Sequence, residues 1–200
     1  MKETAVDDSQ PLSQDLIDEF VANAHGNLLR VQELLGQHPT LLNANASWDE
    51  TALAAAAQVG RRDIAEFLLA AGAPLDICTA AMLGRVDAVT SFLRADQGLA
   101  HATGAHGIPV LYHAAITNRK QVAKLLLAAG TDVNQGTGVT TALHGAAQFD
   151  QASMAAWLLE HEADLTALDH AGQTPLEVAA AAGHSDVVAV IQRYAAPSNR

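Results

Sequence analysis

Nine histidines are the residues of this chain best suited to hold a metal or to move a proton. His101 and His106 flank a short loop, and Glu160-His161-Glu162 closes an apolar stretch. Neither reproduces H-E-x-x-H, which sets two imidazoles on one helix face, nor a cysteine–histidine zinc spacing. No metal site follows. Asp7-Asp8, Asp18-Glu19 and Asp49-Glu50 read as solvated surface and not as acid–base pairs. A glycine-rich phosphate loop and a G-x-S-x-G elbow are both missing from the sequence, so no cofactor and no catalytic residue are expected. The lone Cys78 reads as a small buried hydrophobe. One charge pattern remains. Arg61-Arg62, Arg85 and Arg119-Lys120 recur at matching positions and hold five of the eleven cations. Aligned by stacking, they would form a stripe able to hold an acidic peptide or a phosphate-bearing ligand. The competing reading pairs them with Asp63 and Asp87 at the starts of the following helices, where acids also favour the helix dipole.

The elements that must carry these residues are helices. Half of the 200 residues are hydrophobic but only 4% aromatic, so alanine and leucine supply the apolar surface. That suits closely stacked short helices better than strands, which favour β-branched and aromatic side chains. A formal charge of −11 lacks the basic face that nucleic acid demands. A neutral or basic protein partner fits better. The polar, acidic start has no basic and apolar leader, and the alanine-rich runs fall short of the ~20 apolar residues of a membrane span. With a single cysteine, these features lead to the expectation of a cytoplasmic protein without membrane attachment.

Internal repetition is the strongest signal. Thr141-Ala142-Leu143-His144-Gly145-Ala146-Ala147 returns thirty-three residues later as Thr174-Pro175-Leu176-Glu177-Val178-Ala179-Ala180. Related words open at Thr51-Ala52-Leu53 and Val110-Leu111-Tyr112, and Gly130-Thr131-Asp132-Val133-Asn134 closes one unit. Residues 1–12 form a polar arm and 196–200 a tail. Between them one domain, 13–195, is expected as six repeats: 13–45 as an N-terminal cap, 51–74, 75–100, 109–135, 141–168, and 174–195 as a C-terminal cap. Repeat three is short, because Ala80-Ala81 follows Ala56-Ala57 by only 24 residues. The loss falls on the projecting turn, so Pro74-Leu75-Asp76 leads almost directly into the next helix.

This pattern resembles the ankyrin repeat, whose words are T-P-L-H-x-A-A-x-x-G, a second helix ending L-L, then G-A-D-V-N and a turn. Gly60 to Leu68 and Thr79 to Arg85 also resemble stand-alone ankyrin proteins of bacteria. The resemblance implies an all-α solenoid of helix–turn–helix units with short hairpin-like loops, the third repeat lacking its hairpin. It also implies that the imidazole of His144 bonds the neighbouring turn. In that family partners dock on the concave side. By repeat register the docking residues become Trp48, Glu50, His106, Ile108, Thr140, His170 and Gln173 at the tips. Gln58, Val59, Met82, Leu83, Ile116, Thr117, Gln148 and Phe149 follow on the inner helices.

The expected function is a monomeric, non-enzymatic interaction module. The apolar members, Trp48, Val59, Met82, Leu83, Ile108, Ile116 and Phe149, form a binding row if exposed. In the other reading Met82 and Leu83 fold inward to fill the gap in repeat three and Trp48 lies over the first repeat. The alternative function is a small-ligand or metal binder, with an enzyme less favoured, using a cleft at the irregular repeat near Leu83 and His106.

Overall fold

The computed structural model describes residues 12–196, so residues 1–11 of the expected arm and 197–200 of the tail lie outside the described residues. The chain divides into two compact units, one ending at Leu75 and one beginning at Asp76. The division falls in the short connection that the spacing of repeat three predicts. The first unit holds α1 (Gln14–Asn23), α2 (Leu28–Gln37), a 3-10 turn (Pro39–Asn43), α3 (Ala52–Gln58) and α4 (Arg62–Ala70). The second holds α5 (Ile77–Leu83), α6 (Val86–Ala95), two 3-10 turns (Gln97–His101 and Ala105–Gly107), α7 (Val110–Ile116) and α8 (Lys120–Ala128). It continues with α9 (Ala142–Gln148), α10 (Ala152–Glu160), α11 (Pro175–Ala182) and α12 (Ser185–Ala195). All twelve α-helices among the described residues alternate short and longer members after the first pair, and β pairing is confined to the isolated bridges Asn45–Thr51 and Thr103–Pro109.

Local chemistry sets the ends. Polar side chains cap α3, α5, α9 and α11, whereas α7 starts after Pro109: Thr51 accepts from the Ala54 amide at 3.2 Å and Asp76 from the Thr79 amide at 2.9 Å. Thr174 and Glu177 close a reciprocal capping box on α11. Three residues after each Ala-Ala pair the chain turns left-handed, at Gly60, Gly84, Asn118, Asp150 and Gly183. The next amide then bonds back to the first alanine of the pair, as Arg61 does to Ala56, Arg119 to Ala114 and His184 to Ala179, at 2.8–2.9 Å. The same turn thus appears in five repeats from two glycine-free and three glycine-containing sequences, because Asn and Asp tolerate this conformation better than other side chains.

Packing follows the alanine seams. Every residue of α5 and of α7 is buried, and in the second unit α7 packs against both α5 and α9. Phe20, Leu34, Leu41, Ile64 and Leu68 fill the first unit, and Met82, Leu111, Leu126, Leu143, Met154, Leu158 and Ile191 fill the second. Burying each stabilises the fold by about 1.5–3 kcal/mol. Cys78 is buried and free, and burial raises its thiol well above the ordinary value, which makes it unreactive.

Candidate partner-binding surface

In the first unit the surface is built on the hairpin Asn45–Thr51. The Asp49 amide donates to the Ala46 carbonyl at 2.9 Å, and Asp49 itself is left-handed with φ 62°. The turn is tied to α1 through Asp18, whose carboxylate accepts from the Ser47 amide and hydroxyl, both at 2.7 Å. The hydrogen bond from Gln14, and then those from Ser47, hold Asp18 below the usual carboxylate range. Trp48 is 39% exposed, and its indole N–H donates to Glu50 at 2.8 Å. Glu50, expected at an exposed tip, is buried at 2% exposure, because the indole lies in hydrogen-bond contact with it and its Oε2 stands 3.7 Å from His25 Nε2. Gln58 pairs with the same imidazole at 3.3 Å, and Val59 is half-buried.

In the second unit the structure separates the expected residues into two groups. Met82, Leu83, Ile108 and Ile116 are buried, so they supply no exposed row. The reason differs by site. Thr117 at the end of α7 and Arg119 at the start of α8 donate to the Met82 carbonyl at 2.7 and 3.3 Å, drawing the turn between them over the end of α5. Ile116 fills the space that Gly145 leaves open: a β-carbon there would stand 3.0 Å from the Ile116 methyl. Ile108 is held in the folded-back loop by its carbonyl, which accepts from the Gly104 amide at 2.8 Å. The inward packing of Met82 and Leu83 is the second of the two readings their positions allowed.

The other group faces water. His106, Gln148, His170 and Gln173 are exposed, while Thr117, Thr140 and Phe149 are half-buried. The loops of repeats five and six are bonded to each other: the Gly138 amide donates to the Leu168 carbonyl at 2.7 Å and the His170 amide to the Val139 carbonyl at 3.0 Å. Asn134 adds a bridge, accepting from the Asp164 amide at 2.7 Å and donating to the Glu162 carbonyl at 3.3 Å. Leu168 projects from this ladder at 48% exposure. Sequence reasoning missed it; the available signal was a leucine where the preceding repeat has the polar Gln135.

Three of the cationic positions, Arg61, Arg62 and Arg119, have structural partners. Arg61 pairs with Asp63 at 2.7 Å and donates to the Gly26 carbonyl, and Arg62 meets Glu66 at 3.8 Å. At the equivalent register Arg119 reaches the Met82 carbonyl, and His184 reaches the Ala147 carbonyl at 2.8 Å. These side chains satisfy backbone acceptors near the helix ends of the preceding repeat. Lys120 lines a surface cleft of about 430 Å³ with Gly84, Val86, Asn118, Gln121 and Ser153. Leu83 and His106, where a ligand cleft was expected, do not line it. Among the described residues no three His, Cys, Asp or Glu side chains are grouped to hold a metal, and no helix is long and apolar enough to cross a membrane.

A family model described as ankyrin repeats (3 copies) matches residues 20–137, 77–169 and 111–199. The chain is 30% identical over 182 residues to the nuclear factor NF-kappa-B p105 subunit of Gallus gallus, across 83% of this chain and 18% of that protein. It is 40% identical over 78 residues to the ARF GTPase-activating protein Git of Drosophila melanogaster, across 38% of this chain and 11% of that protein. The chain thus spans less than a fifth of the length of either relative.

Proposed function

Since the chain belongs to the ankyrin-repeat family, we propose that it is a non-enzymatic module that binds another protein through its loop tips and the exposed ends of its inner helices. In the second unit the surface comprises Thr140, Leu168, His170 and Gln173 on the loops, with Gln148 and Phe149 beside α9. One observation carries this reading. The ladder joining Gly138–Val139 to Leu168–His170 fixes two loops as one platform and leaves a large apolar side chain and two polar ones facing solvent. A platform ordered before binding loses little entropy when a partner docks. Isolated exposed leucines need no explanation, but one set on a hydrogen-bonded ladder beside an imidazole and an amide matches the mixed character of an interface centre and its rim. A reducing bacterial cytoplasm belongs to the same reading. The free, buried Cys78 and the likeness of residues 60–68 to stand-alone bacterial ankyrin proteins support it.

The test is quantitative affinity capture with the wild-type chain and with Leu168→Glu/His170→Ala as baits. Both substitutions lie on exposed side chains, so melting temperatures should agree within about 2 °C. Proteins that bind the platform should be depleted at least about tenfold by the double variant. Equal recovery by both baits would remove the platform from the account.

A further inference from the structure

We propose that the first unit's hairpin is a receptor for a cationic side chain, an arginine or lysine of a partner protein, laid on the face of Trp48 between Asp18 and Asp49. This rests on the reading of the chain as a protein-binding module and adds the chemistry of what it binds.

Three observations converge on it. Trp48 is among the few large apolar residues of the described chain that stand exposed, and its ring is not free to turn, because the indole N–H is held by Glu50 at 2.8 Å. A ring fixed by its edge presents its π face, which attracts cations. The segments that build the site are acidic, and the cations that adjoin them, Arg30 and Arg61, are paired with Glu19 and Asp63. Residues 12–29 and 44–60, which form α1, the hairpin and α3, carry Asp15, Asp18, Glu19, Asp49 and Glu50 and no lysine or arginine. Glu19 is engaged by Arg30 at 2.6 Å, whereas among the described residues Asp18 is bonded to the neutral groups Gln14 and Ser47 and is held ionised by them. The hairpin is also rigidly placed. Ser47, which precedes Trp48, is clamped to α1 by Asp18, and Asp49, which follows it, is held in a left-handed turn. An exposed indole on a turn that carries Asp49 and is tied to Asp18 suits a guanidinium best, since it stacks flat and forks its hydrogen bonds.

The occupant follows from charge. The buried Glu50 bonded to the indole N–H and the carboxylates of Asp18 and Asp49 would repel an acidic segment, and a purely apolar one would leave Asp18 and Asp49 partly desolvated without compensation.

A random peptide library selected against the intact chain tests this. The selected peptides should be enriched in arginine or lysine, and replacing that residue by citrulline or norleucine should weaken binding about tenfold. Trp48→Ala should lose a similar factor and Trp48→Phe should retain most binding, because the phenyl face survives without the N–H. Asp49→Asn keeps the turn, and with Asp18→Asn it should flatten the salt dependence. Circular dichroism confirms that each variant is folded. Peptides that need Trp48 but show no cationic preference would overturn the inference while leaving the docking reading intact. Cationic peptides bound equally by Trp48→Ala, or a selection that yields no binder, would also overturn it. The platform in the second unit is tested separately by its own variants.

Discussion

His144 and Gln173, twenty-nine residues apart, are joined by one imidazole: Nε2 donates to the Gln173 carbonyl at 2.9 Å while Nδ1 accepts from the Thr141 amide at 3.2 Å. The backbone donor on Nδ1 fixes the tautomer, so the proton sits on Nε2 and the ring is neutral. One side chain thereby caps its own helix and holds the turn of the next repeat.

That arrangement makes stability depend on pH. Burial lowers the His144 pKa from its ordinary value of 6.5, with the Gln173 hydrogen bond opposing the shift. Protons therefore bind the unfolded chain more readily than the folded one. The contribution is complete above about pH 6.5 and drains away as the pH falls from there toward the lower folded value. Urea midpoints at about pH 7.5 and 5.5 should show this loss for the wild type and a smaller one for His144→Gln. Equal losses in the two proteins would show that the imidazole is not the group responsible.

Gly145 sets how closely α9 approaches α7. A β-carbon there would stand 2.7 and 2.8 Å from the ring carbons of Tyr112. Gly145→Ala gains helix propensity worth about 1 kcal/mol but forces the ring or the helix to move, at about 1–3 kcal/mol. A net loss of stability is expected, and it should shrink in a Tyr112→Ala background. Denaturant melts of the four proteins in the cycle measure this coupling.

Leu126 is fully buried in α8. Leu126→Asp places a charge with no counterion there and should cost about 3–5 kcal/mol. A melting curve that barely moved would mean that the seam between repeats lies elsewhere.

Asn134 bonds the amide of Asp164 and the carbonyl of Glu162. Asn134→Ala should cost about 1–2 kcal/mol and speed hydrogen exchange at the Asp164 amide while leaving that of Ala155 in α10 unchanged. Uniform acceleration would indicate global destabilisation and not a local bridge.

The helices and the shortened third repeat were legible because each has a local signature: an apolar period, a missing turn. The hydrogen-bonding role of His144 was legible from its slot in the repeat. Side-chain exposure was not. Repeat register places Met82, Leu83 and Ile116 near the ends of short inner helices, but exposure depends on what the neighbouring repeat sends back. Here it sends Thr117 and Arg119 toward Met82, and at Ile116 a glycine in place of a side chain. The arginines were legible in part: Arg61 pairs with Asp63, as one of the two readings of the charge pattern has it. Their charge suggested acids or anions as partners, whereas Arg61 and Arg119 also reach backbone carbonyls about thirty-five residues earlier, an interaction that no charge pattern in the sequence reveals. Leu168 was overlooked because a single leucine in a turn carries no period.

Site-specific photo-crosslinking determines whether partners dock on the loops. A crosslinking residue placed at His170 or Thr137 on the loop platform, and separately at Lys124 on α8 or Glu160 on α10, samples four exposed positions. A shared partner adduct is expected from the two loop positions and none from the two helix positions. Adducts from Lys124 or Glu160, with none from His170 or Thr137, would contradict docking on the loops.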